Sequence, residues 1–165
     1  MKTIVLALFL QVSILMASPY MDKGNKAYKQ QNYKMAYIAY KNALEFGENK
    51  TMAKFNMANS LYKLKQVGRA LALYNEVRKE NPKFIRGYLN EAGVLYQMDQ
   101  IGDALKIYHL ALNIEPENIS VIKMIGESNL KIENRAEALK YFEMGSKLEP
   151  ENVTWYYAMI EVYLG

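Results

Sequence analysis

The stretch Ala104-Leu105-Lys106-Ile107-Tyr108-His109-Leu110-Ala111-Leu112-Asn113-Ile114-Glu115-Pro116-Glu117-Asn118 decides how this chain is built, because its landmarks return at one fixed distance. Ala104 belongs to an evenly spaced series, Ala36, Ala70, Ala104 and Ala138. Four residues after each alanine stands an aromatic: Tyr40, Tyr74, Tyr108 and Phe142. Three further on come the small or modest residues Ala43, Val77, Ala111 and Gly145. Pro82, Pro116 and Pro150 close three of the units, with Glu48 in the first. Twelve residues before each alanine are Gly24, Ala58, Ala92 and Gly126. Glu115-Pro116-Glu117-Asn118 is repeated as Glu149-Pro150-Glu151-Asn152. Such self-similarity at one period is the mark of a repeat architecture.

Spacings of three and four put the alanine, the aromatic and the next small residue on one helical face. The unit is therefore two antiparallel helices of about 13 residues joined by a tight turn. The turns are predicted near Gln31-Asn32, Lys65-Gln66, Asp99-Gln100 and Glu133-Asn134. Small residues allow close helix crossing, and the aromatic fills the adjoining space. One hairpin has too little core by itself, so stacking of neighbours must bury the open face.

On these residues the chain resembles the tetratricopeptide repeat family: a small residue in helix A, an Ala then an aromatic in helix B, and a closing proline. The resemblance implies an all-α, right-handed α-solenoid of four helical hairpins, at about 17–50, 51–84, 85–118 and 119–152. A C-terminal capping helix over 153–165 would close it. Lys23 and Glu91 stand where the family usually has leucine, Glu48 replaces the first proline and Gly145 replaces an alanine. The first repeat is accordingly expected to be the loosest.

Composition agrees with an ordered globular protein: 51% hydrophobic and 23% charged in 165 residues. There is no cysteine and a single histidine, His109. Disulfides, thiol nucleophiles and cysteine metal sites are excluded, and His-based triads or metal sites are disfavoured. No phosphate loop or paired catalytic carboxylates are evident, so the expectation is no enzyme, no cofactor and no metal. A net charge of +4 is too modest to imply nucleic acid.

Lys2 precedes an apolar run from Ile4 to Ala17, shorter than the roughly 18 residues of a membrane span. Residues 1–17 read as a signal peptide cut after Ala17, or as an uncut anchor. Either reading exports the remainder, to a bacterial periplasm or membrane face, with secretion as the alternative. Membrane contact is expected only if the segment stays uncut.

The family's concave groove is lined by first helices and binds extended peptides or a partner helix. Carried over one position at a time, its inward residues include Tyr28, Tyr62, Tyr96 and Leu130 late in helix A. Beside them stand Lys29, Lys63, Gln97 and Lys131. Asn25, Asn59, Gly93 and Glu127 lie three residues before the tyrosine series. Met21, Phe55, Leu89 and Lys123 lie early in helix A, with Met52 and Arg86 one turn before. Asparagine amides can bond a partner's backbone whatever its sequence. Tyrosines offer stiff apolar contact, and lysines favour acidic partners. The expected partner is an extended, possibly acidic segment of another envelope protein. A terminal-carboxylate clamp known in the family is matched in part by Asn25, Asn59 and Arg86, but Met21 stands where its lysine belongs. The alternatives are a glycan or other small ligand on the tyrosines, or a regulatory subunit of an envelope enzyme.

Three further readings concern other segments. Val153–Leu164 is apolar nearly all round with Glu161 its only charge, which suggests self-association, an apolar cap, or a natural chain that continues past Gly165. The triplets beginning at Asn49, Asn118 and Asn152 fall at repeat junctions, where Asn suits a helix start. His109 is read as a surface or packing residue, and most methionines outside the leader sit at core spacing.

Overall fold

The computed structural model describes residues 19–164, so the leader reading of residues 1–17 lies outside the described residues. Within them are α1 (Pro19–Lys29), α2 (Tyr33–Glu45), α3 (Lys50–Lys63), α4 (Val67–Glu80) and α5 (Ile85–Gln97). After these come α6 (Ile101–Ile114), α7 (Ile119–Lys131), α8 (Arg135–Leu148) and α9 (Thr154–Leu164). No strand occurs among the described residues. The chain divides into two compact units, one ending at Leu73 and the other starting at Tyr74, inside α4. In the first unit α1 packs on α2 and α2 on α3. In the second, α5, α6, α7, α8 and α9 each pack on the next in sequence. Strong packing between sequence neighbours is what a helical solenoid requires.

The turns fall where the spacing placed them. Gln31, Lys65, Asp99 and Glu133 have φ of 60°, 62°, 63° and 60°, and they follow one another at the same period as the alanines. At each, the following N–H reaches back five residues: Asn32 to Ala27 O, Gln66 to Leu61 O, Gln100 to Leu95 O and Asn134 to Asn129 O. These are left-handed helix ends of the Schellman type, here without glycine. The starts of α2, α3 and α7 are set by asparagines. Asn32, Asn49 and Asn118 accept from the N–H of Met35, Met52 and Val121, so two of the three Asn-x-Ser/Thr triplets cap helices. In the third, Asn152 Oδ1 accepts from Thr154 N and Oγ1 at the mouth of α9.

The repeated Glu-Pro-Glu-Asn has a structural reason. Asn118 Nδ2 donates to Glu115 Oε2 at 2.6 Å, and Asn152 Nδ2 to Glu149 Oε2 at 2.8 Å. Each loop is tied by its own glutamate while its asparagine turns toward the next helix. The first junction uses another device. Glu48 accepts from Tyr20 N at 3.2 Å and Met21 N at 2.9 Å, placing a carboxylate at the positive end of α1.

The core follows the small–aromatic pattern. Ala36, Ala70, Ala104 and Ala138 are wholly buried, as are Tyr40, Tyr74, Tyr108 and Phe142 within a few per cent. A Cβ placed on Gly24 would lie 2.4 Å from Tyr40 Cε1, and one on Gly126 would lie 2.4 Å from Phe142 Cε1. Only glycine admits those rings. Glu91, at a position where leucine is usual, is buried against Arg78 (Nε–Oε2 2.9 Å). Arg78 also lies over the Tyr88 ring. Two methionines depart from core spacing: Met35 and Met98 are exposed.

Candidate functional site

In the second unit, late helix A positions come together as the repeat register requires. Tyr96 near the end of α5, Glu127, Leu130 and Lys131 on α7, and Glu161 on α9 line a cavity of about 420 Å³. Tyr96 and Leu130 are half-buried against the core, which fixes their inner edges and leaves apolar surface on the cavity wall. Lys131 Nζ stands 4.6 Å from the centroid of the Tyr96 ring and 2.9 Å from Asp99 Oδ1. Asp99 is the left-handed turn residue that closes α5, so the same turn that reverses the chain presents a carboxylate to hold Lys131 over the tyrosine. Lys123 Nζ approaches Glu127 Oε1 at 3.6 Å one helical turn earlier.

Tyr108 is buried within this same unit. Its hydroxyl comes within 3.9 Å of where a Cβ on Gly93 would stand. Burial pushes its pKa up to about 12, with the Glu127 charge and then Tyr96 adding to the shift. The phenol therefore stays neutral beside the site.

The charge balance differs from a row of lysines. Lys131 pairs with Asp99 and Glu127 with Lys123, and Glu161 adds a further carboxylate to the cavity wall. The expectation of an acidic partner finds no support at this pocket. Glu127 and Glu161 are one repeat period apart, so extending the register into the last helix would have found Glu161. Asp99 was visible only as a turn residue, because its reach to Lys131 depends on how α5 and α7 pack.

The remaining predicted residues are distributed as follows. In the second unit Leu89 is half-buried against the core cluster, Arg86 is exposed and lies over the Phe84 ring, and Gln97 is exposed. In the first unit Tyr28 is half-buried and meets Tyr33 edge-on, with centroids 5.2 Å apart. Tyr62 and Asn59 are half-buried, while Lys29 and Lys63 are exposed. One residue departs from a partner-facing role, and another is already engaged within the chain. Phe55 is buried, because its face of α3 turns into the core. Asn25 is exposed, with its amide oxygen engaged by the Tyr40 hydroxyl at 2.9 Å, since Gly24 lets that ring come close to α1. The carboxylate clamp is weakened likewise: Met21 is buried, and its N–H already donates to Glu48.

Solved structures share this architecture. A MamA structure from Desulfovibrio magneticus RS-1 superposes with a TM-score of 0.75 at 16% identity, covering 88% of this chain and 82% of that one. YrrB, described as a TPR protein with an unusual peptide-binding site, gives 0.70 at 20% identity, covering 84% of this chain and 72% of that one. The chain has the tetratricopeptide repeat fold. The pilF protein of Pseudomonas aeruginosa also matches, at 0.73 and 20% identity, over 87% of this chain and 66% of that one. No family model matches the sequence, and neither does any curated relative.

Proposed function

We propose that this chain is a non-enzymatic protein–protein interaction scaffold, and that the α5–α7–α9 pocket anchors an extended segment of its partner. The observation that carries this reading is the Tyr96–Leu130 wall facing Glu127 and Glu161 in one open cavity of about 420 Å³. Apolar contact on Tyr96 and Leu130 supplies affinity for a side chain. The two carboxylates accept N–H groups of an extended backbone, which every peptide has. A neutral or donor-bearing segment suits this lining better than an acidic one. A glycan stacked on Tyr96 fits less well, because Lys131 occupies one ring face. In the first unit, Tyr28, Tyr62, Lys29 and Lys63 are the residues proposed to extend contact with a partner.

An exported protein of the bacterial envelope is the proposed setting. Support for it is Lys2 and the apolar run to Ala17 alone; an intact mass that starts at Ser18 would bear on it directly. The binding reading is tested by selecting displayed random peptides on the 165-residue chain. Selected peptides should lose at least tenfold in affinity for a Tyr96→Ala, Leu130→Asp variant of unchanged helicity. Equal binding to that variant would reject the pocket.

A further inference from the structure

We infer that α9 carries a self-pairing surface, on which a second copy of this chain docks its own α9. This helix has two apolar sides. Trp155 and Val162 are buried against the rest of the unit. Opposite them Val153, Tyr156, Tyr157, Ile160, Tyr163 and Leu164 are exposed. At roughly 3.6 residues per turn the five that lie in α9 fall within an arc of about 120°, a strip along the whole helix, and Val153 stands just before it. Glu161 lies off the strip and lines the pocket, so the strip is uncharged and two copies meet without like-charge repulsion.

Two quantities favour a second copy. The first is area. Tyr156, Tyr157 and Tyr163 are 45%, 69% and 73% exposed. At roughly 200 Å² per aromatic they leave on the order of 370 Å² uncovered. Val153, Ile160 and Leu164 bring the strip to about 700 Å², near the about 800 Å² per partner of a standard interface. The second is register. Gly24 and Gly126 admit the Tyr40 and Phe142 rings of the helix that follows each, and one period beyond Gly126 stands Ile160. A β-branched side chain there blocks the ring insertion seen between Gly126 and Phe142. The strip therefore does not suit another helix B of the same pattern. It suits a face that pairs side chain to side chain, and an isologous two-fold contact centred on Ile160 meets that need.

Because the chain has no cysteine, one introduced thiol reports directly on the pairing. In the full-length protein, Ile160→Cys should form a disulfide-linked dimer under mild oxidation, whereas His109→Cys on the exposed side of α6 should not. Sedimentation should show a dimer whose Kd rises at least tenfold in Ile160→Arg, with circular dichroism unchanged; if that variant misfolds, Tyr163→Lys serves the same comparison. A protein monomeric at ~500 µM overturns the inference. So does a dimer that neither substitution weakens, or cross-linking at His109→Cys in place of Ile160→Cys. None of these results depends on peptide binding in the pocket.

Discussion

Trp155 lies across Gly145 so closely that a Cβ on the glycine would stand 2.6 Å from the indole Cη2. The indole N–H donates to Glu149 Oε2 at 3.2 Å, which fixes the ring over the gap. Elsewhere in the unit the equivalent register pairs are Val77 with Gly87 and Ala111 with Val121. The Val77–Gly87 pair is close too, at 3.3 Å from a Cβ on Gly87 to Val77 Cγ1. At these two junctions between a second helix and the next first helix, a glycine on one side admits a larger side chain from the other. Gly145→Ala alone should cost about 1–3 kcal/mol by overpacking, and Trp155→Ala about 3–5 kcal/mol by cavity formation. Gly145→Ala with Trp155→Val rebuilds the Ala111–Val121 combination and should be less destabilised than the sum of its single changes. Urea unfolding of the parent, the two single variants and the double variant measures the coupling.

The buried Arg78–Glu91 pair behaves as a unit. Removing the partner of a buried charge costs about 3–5 kcal/mol, whereas apolar replacement of both is near neutral. Arg78→Met should therefore destabilise strongly, and adding Glu91→Leu should restore most of the loss. Thermal unfolding of the single and double variants decides between this and independent contributions.

At the turns, a non-glycine residue in the left-handed region costs roughly 1–2 kcal/mol. Glu133, at φ 60°, is exposed. Glu133→Gly should stabilise by about 0.5–1 kcal/mol after the added freedom of the unfolded chain is counted. Glu133→Val should destabilise, and chemical denaturation reads both signs.

Glu48 gives a prediction opposite to the family pattern. Proline at this position matches the other repeats, yet Glu48 N donates to Ala43 O and its carboxylate caps Tyr20 and Met21. Glu48→Pro should destabilise by about 1–2 kcal/mol and speed amide exchange at Tyr20 and Met21. The first repeat was expected to be loose because proline is missing there; the glutamate closes that junction by another route.

Alkaline pH acts through Tyr40 and Tyr108, whose pKa values burial pushes up to about 12 from about 10 in the unfolded chain. The folded state favours the neutral phenol. Stability is intact below about pH 10 and falls as pH rises toward about 12. Tyr108→Phe should flatten the fall, as followed by urea midpoints across that range.

The hairpins, their turns and the buried alanine–aromatic face were legible in the sequence because one period carries all three. Tyr96, Leu130 and Lys131 come from the family's inward positions, and the structure brings the three to one cavity. What period alone could not reveal was pairing across helices. Asp99 reaches Lys131, Tyr40 takes Asn25, and Phe55 turns inward, each according to the packing angle of neighbours. Glu161 lies one period after Glu127, on a helix whose other residues carry no charge.

The most direct test of the account is an amide-shift map of the 15N-labelled protein titrated with a selected peptide. The account predicts saturable shifts clustered at Tyr96, Glu127, Leu130, Lys131 and Glu161. Shifts clustered elsewhere, with these five unmoved, would contradict it.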